Sequence, residues 1–123
     1  MTKRNLDDVF DSFDATWEPR IVTTVNDYDV RVAHVEGDHT WHSHADTDEF
    51  FLCLSGEFTI ELRDREPVVL RRGDTFTVPK GTEHFPRAAP GTRILMFEPQ
   101  GTATTGDEGD VEHLRTTTGI PLD

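Results

Sequence analysis

The sequence predicts an all-β chain, an antiparallel sandwich or barrel with a short N-terminal helix. Three observations carry that prediction. Short runs of β-branched and aromatic residues recur at regular spacing, turn signals stand between them, and no strand–helix–strand alternation calls for a parallel sheet.

The helix is expected at about residues 5–13. Leu6, Val9, Phe10 and Phe13 form one apolar stripe at helical spacing, Asn5 suits the N-cap, and Asp7 and Asp8 suit the positive first turn. Past Pro19 the period changes to two. Ile21 to Val25 reads as a strand, and Asn26-Asp27 as a turn. Tyr28 to Val35 alternates, with Tyr28, Val30, Val32 and His34 on one face, which is expected to line the barrel interior. Phe50 to Leu54 is apolar on both faces and needs cover on both. Glu57 to Arg63, Val68 to Leu70, Thr75 to Val78 and Arg93 to Phe97 complete the strands. Turns are expected at Asp64 to Pro67, Arg72 to Asp74, Pro79 to Gly81 and Pro90-Gly91.

The chain has 123 residues, so one domain is expected over 1–123, with the barrel at about 20–98 and a polar tail at 101–123. That tail is either mobile or a strap pinned over the barrel. A single cysteine, Cys53, excludes an intrachain disulfide framework and a cysteine-based zinc cluster. Acids number 24 against 12 Lys plus Arg, for a net charge of -12. Nucleic acid and anionic membranes both need a basic footprint, so neither is expected as a partner. No apolar run is long enough to span a membrane, and Met1 to Phe10 carries charges where a signal peptide is apolar. The expected location is the cytoplasm.

The chemistry concentrates in the histidines. His42-Ser43-His44 is an HxH on an expected strand, Glu49 opens the next apolar run, and His84 follows the Pro79-Lys80-Gly81 turn. Three imidazoles and one carboxylate make a nitrogen and oxygen set for a divalent metal. Taken singly, each could equally be an ordinary histidine near a turn. The spacing is more specific. It runs Gly37-x4-His42-x-His44-x4-Glu49-x6-Gly56, then Gly73-x5-Pro79-x-Gly81-x2-His84.

Both stretches resemble the two motifs of the cupin superfamily, in order and with every ligand position filled. The resemblance covers about Val30 to Phe97, with Gly37 one residue nearer the first histidine than usual and Ala88 where an Asn is common. It is to small single-domain cupins, often labelled mannose-6-phosphate isomerase-like. The resemblance implies a jelly-roll barrel with one divalent ion held by His42, His44, Glu49 and His84. Zinc would close a four-ligand site, whereas octahedral Mn, Fe, Co or Ni would keep two positions open.

His34 and Tyr28, on the face expected to look inward, are the candidate pocket residues. His34 could carry a proton there, or both could be ordinary strand residues. His39 and His113 are expected to be solvated. Asp46 and Asp48 are expected in a turn. Three functions stay open: a metal-dependent enzyme (a dioxygenase or a sugar-type isomerase or epimerase), a binding or sensing module for a small molecule, and a barrel with structural histidines. The Phe50, Leu52 and Leu54 face could be covered by the helix or by a second subunit, and a homodimer is expected.

Overall fold

The computed structural model describes residues 1–122. Helix α1 (Leu6–Asp11) is followed by β1 (Arg20–Val25), β2 (Tyr28–Asp38), β3 (Glu49–Ser55), β4 (Glu57–Leu62), β5 (Arg65–Arg71), β6 (Thr75–Val78), β7 (His84–Pro99) and β8 (Ile120–Pro121). The strands form an antiparallel jelly roll. The one parallel pairing among the described strands joins β8 to β1.

Strand β7 organises the barrel. One edge pairs with β2 from Arg87 to Pro99, and the other pairs first with β4, then with β3. Pro90-Gly91, expected to be a turn, therefore lies inside a 16-residue strand. The left-handed backbone of Gly91, at φ 79°, bends that strand without ending it. At Gly56 a side chain is excluded outright, because a Cβ would collide with Thr92.

The core fills the barrel with Ala33, Val35, Phe51, Cys53, Phe58, Ile60, Ile94 and Met96. A second cluster lies outside it, where Val9 and Phe10 of α1 cover Val32, with Leu54 and Leu95 packed alongside. Burying those two helix side chains contributes about 1.5–3 kcal/mol each. Asn5 caps the helix by accepting from the Asp8 N–H at 3.2 Å.

This packing corrects the phase of β2. Period two holds, but Val32 and His34 face the helix, while Arg31, Ala33 and Val35 are fully buried on the barrel side. His34 is thus outside the pocket. Its Nε2 lies 2.9 Å and 3.0 Å from the carbonyls of Phe10 and Phe13, closing the end of the helix, and its ring stands edge-on to both phenyl rings. Tyr28 stacks on Phe97 at 4.9 Å, on the outer surface beside Phe50. Both pocket candidates are therefore displaced by the same one-residue change of face.

Residues 101–122 form a pinned strap. Arg31 Nη1 donates to the Thr102 carbonyl at 2.9 Å, His113 Nε2 lies 2.9 Å from the His39 carbonyl, and the Ile120 N–H donates to Pro19. At Gly106 the strap passes so close to the metal-motif loop that a Cβ would collide with the Ser43 carbonyl.

Before β1 the chain makes an uncommon turn at Trp17, whose φ is 60°. A bulky residue in that region costs on the order of 1–3 kcal/mol and persists only where its surroundings hold it.

Candidate metal centre

The HxH sits in the loop between β2 and β3 and not on a strand. Its two rings are positioned by backbone stitching to the start of β7. The His42 N–H donates to the His84 carbonyl at 3.0 Å, and the His84 N–H returns to His42 at 2.9 Å. The Gly81 N–H donates to the His44 carbonyl at 2.8 Å, and Asp48 accepts from the Lys80 N–H at 2.9 Å, which is a turn role. Each contact ties the first motif to the second. Glu49 opens β3, facing inward on the side that holds Phe51 and Cys53.

The structure brings His42, His44, Glu49 and His84 together. One ligand atom from each lies within 4.8 Å of the others, and all four residues are buried. His42 Nδ1 lies 2.8 Å from the Thr40 carbonyl and His84 Nδ1 lies 2.9 Å from the Thr82 carbonyl, in both cases the residue two earlier. Each carbonyl can only accept, so the proton of the neutral ring is assigned to Nδ1 and Nε2 keeps a lone pair turned into the cluster. His84 Nε2 lies 3.1 Å from Glu49 Oε1. His44 Nε2 lies 3.3 Å from the same oxygen without forming a hydrogen bond, and it is buried without another partner. Converging lone pairs around one carboxylate oxygen, with a buried nitrogen left over, fit a divalent cation.

The electrostatics favour the deprotonated, binding forms of His42 and Glu49 and the protonated form of His44. Burial, reinforced by the neighbouring His84, lowers His42 to about 3. Burial alone would raise Glu49, but the imidazoles of His44 and His84 outweigh it and hold the carboxyl well below the usual range. For His44, burial works downward, yet Glu49 prevails and its pKa is raised.

His39, expected in solvent, is buried among Trp17 and His42 at ring distances of 4.8 Å and 4.9 Å, and its Nδ1 has no partner. Burial lowers it to about 4. A histidine kept neutral by the fold costs stability in acid. Between about pH 6.5 and 4 the unfolded chain protonates while folded His39 and His42 do not. Stability of metal-stripped protein therefore falls as pH drops, at up to about 1.4 kcal/mol per pH unit for each group. His44, with its raised pKa, contributes in the opposite sense, its share being lost as pH rises. Urea midpoints of His39→Gln are expected to fall less steeply than wild type over this window, and an equal slope would contradict neutral burial of His39.

Behind Glu49 stands an ion cluster that sequence reasoning missed. Fully buried Arg31 contacts Asp29 Oδ2 through Nε and Nη2 at 3.1 Å and 3.0 Å, and Glu98 Oε1 through Nη1 at 3.1 Å. Asp29 and Glu98 are direct partners across the β2–β7 ladder, so Arg31 is what permits two acids to face each other. Burial, and then the charge of Glu49, push Glu98 well above the carboxylate range. Reading the wrong face of β2 as interior concealed this signal.

A cavity of about 30 Å³ adjoins the cluster. Its polar end is His39, His42, Glu49 and Thr104, and its walls include Trp17, Val35, Phe51, Phe58 and Met96.

The comparisons with known proteins agree with this architecture. A family model described as "Cupin domain" matches residues 28–97. YdbB, an uncharacterized protein of Bacillus subtilis (strain 168), is 42% identical over 77 residues, covering 63% of this chain and 68% of that protein. The crystal structure of a cupin-2 domain containing protein from Shewanella frigidimarina superposes with a TM-score of 0.76 at 40% identity, over 78% of this chain and 93% of the other. Hydroquinone 1,2-dioxygenase from Sphingomonas sp. TTNP3, with 4-hydroxybenzoate bound, shares the fold at 20% identity and a TM-score of 0.69, over 89% of this chain and 72% of that one. Motif, barrel and relatives converge: the chain belongs to the cupin domain family.

Proposed function

We propose that His42, His44, Glu49 and His84 bind one divalent ion (Mn, Fe, Co, Ni or Zn) and that this ion anchors a small, largely apolar organic molecule in the barrel. The observation that carries the reading is the convergence of four buried ligand atoms beside a cavity walled by Phe51, Phe58 and Met96. Held by these four residues, such an ion would supply Lewis-acid or redox chemistry beside the cavity.

The lining favours a dioxygenase over a sugar-type isomerase. Sugar hydroxyls need many polar partners, whereas the described cavity residues offer few. Arg31, near the site, is already engaged by Asp29 and Glu98 and does not stand ready for a phosphate. The test is elemental analysis of untagged protein, with about one ion per chain expected. A chain that carries no metal and takes up none overturns the reading. With the metal in place, oxygen uptake on a panel of short carboxylic acids, diketones and phenols supports an enzyme. Saturable binding without turnover supports the binding or sensing module instead.

A homodimer belongs to the same reading. The helix covers Leu54, but Phe50 and Leu52 on the same face stay half-buried. Light scattering is expected to return the mass of two chains at micromolar concentration, and the mass of one overturns the dimer. Cys53, free and buried, suits the reducing conditions of the cytoplasm. Among the described residues, no helix is long and apolar enough to cross a membrane.

A further inference from the structure

We propose that Trp17 sets the size of the molecule that can reach the metal centre. The proposal rests on the metal reading above and adds the residue that limits the ligand.

Trp17 lies in the link between α1 and β1, outside both motifs. Its half-buried indole walls the cavity together with buried Phe51, and its ring centre is 4.8 Å from His39 and 6.4 Å from Phe58. His39 in turn is 4.9 Å from His42, so one ring separates the indole from a metal-ligand position. The side chain is held at both ends. The indole N–H donates to the Glu36 carbonyl at 2.8 Å, and the Trp17 backbone N–H donates to the His34 carbonyl at 2.9 Å. Those two bonds maintain the left-handed backbone at φ 60°, a conformation that favours glycine over tryptophan. The chain thus keeps a bulky ring in the barrel mouth at a conformational cost.

Volume gives the consequence. The cavity of about 30 Å³ has room for about two waters, at roughly 10–15 Å³ for each. An apolar cavity of roughly 150 Å³ takes benzene. With the indole in place, this side of the centre is open to ligands of a few heavy atoms and closed to an aromatic ring. The class of molecule served is therefore a short acid, ketone or similar fragment. An aromatic acid of the kind bound in the Sphingomonas enzyme would need the indole removed.

The experiment uses the full chain loaded with Co²⁺ as a spectroscopic metal and titrated with azide and with phenol, followed by visible absorption. Wild type is expected to bind azide and to bind phenol more weakly than either variant does. Trp17→Gly, which suits the backbone conformation, and Trp17→Phe, which keeps a smaller ring against His39, are both expected to tighten phenol binding, the glycine variant by tenfold or more. Azide affinity is expected to stay within about twofold in all three. Equal phenol affinity in wild type and variants overturns the proposal, as does weaker phenol binding in the variants, which would make Trp17 a stacking partner. No Co²⁺ uptake by wild type overturns the metal reading itself, whereas uptake with azide binding and unchanged phenol affinity overturns only the role of Trp17.

Discussion

Replacing Arg31 with methionine is expected to destabilise the fold by about 3–5 kcal/mol, the loss seen when one partner of a buried ion pair is removed. The guanidinium is fully buried and meets Asp29, Glu98 and the Thr102 carbonyl at 2.9–3.1 Å. Methionine fills part of the volume but leaves Asp29 without a counter-charge and frees the strap at Thr102. Urea unfolding near pH 7 measures the effect, and a loss below about 1 kcal/mol would mean that water reaches the cluster. Adding Asp29→Asn to Arg31→Met is expected to recover part of the loss, because the remaining group is then neutral. If the double variant is weaker than the single one, charge is not what Arg31 compensates.

His44→Ala is expected to abolish the response to metal removal. A ligand that binds only the folded chain stabilises it by about 4 kcal/mol when free metal stands at 1,000 times Kd. For a chain of this size that is on the order of 10 °C or more in Tm. EDTA should lower the wild-type Tm by that order and leave His44→Ala unmoved. The substitution also removes a buried imidazole 3.3 Å from Glu49, so the readout is the shift that EDTA causes in each protein and not the absolute Tm. An equal EDTA effect on both proteins would place the metal elsewhere. Acid should also release the ion, as His44, whose pKa is raised, takes up a proton first, while His42 and Glu49 stay deprotonated to lower pH. Retention that stays flat from pH 7 to pH 4 would contradict ligation by His44.

Most strand positions and the grouping of His42, His44, Glu49 and His84 were legible because their signals are local: turn residues between short strands, and a fixed spacing within each motif. The phase of β2 was not. Both of its faces are covered, one by α1 and one by the barrel, so alternation alone cannot say which is inside. Pro90-Gly91 looked like a break because the sequence does not show that β7 has a paired neighbour along each edge. Arg31 and Glu98 are 67 residues apart, and Trp17 meets Glu36 across 19. No local pattern announces such contacts, and His39 looked polar only because its cover, Trp17, comes from a distant turn.

The segment that matches the family, residues 28–97, contains every proposed ligand, yet Trp17, Pro19 and Thr104 of the cavity wall lie outside it. In the proposed reading, recognition of the ion lies wholly within the family segment, whereas selection of the guest is shared with stretches of chain outside it. A relative with the same four ligands and a different flank would keep the reactive centre and exchange its clientele. The two ends of the chain, rather than the motifs, are where kinship stops being a guide to substrate.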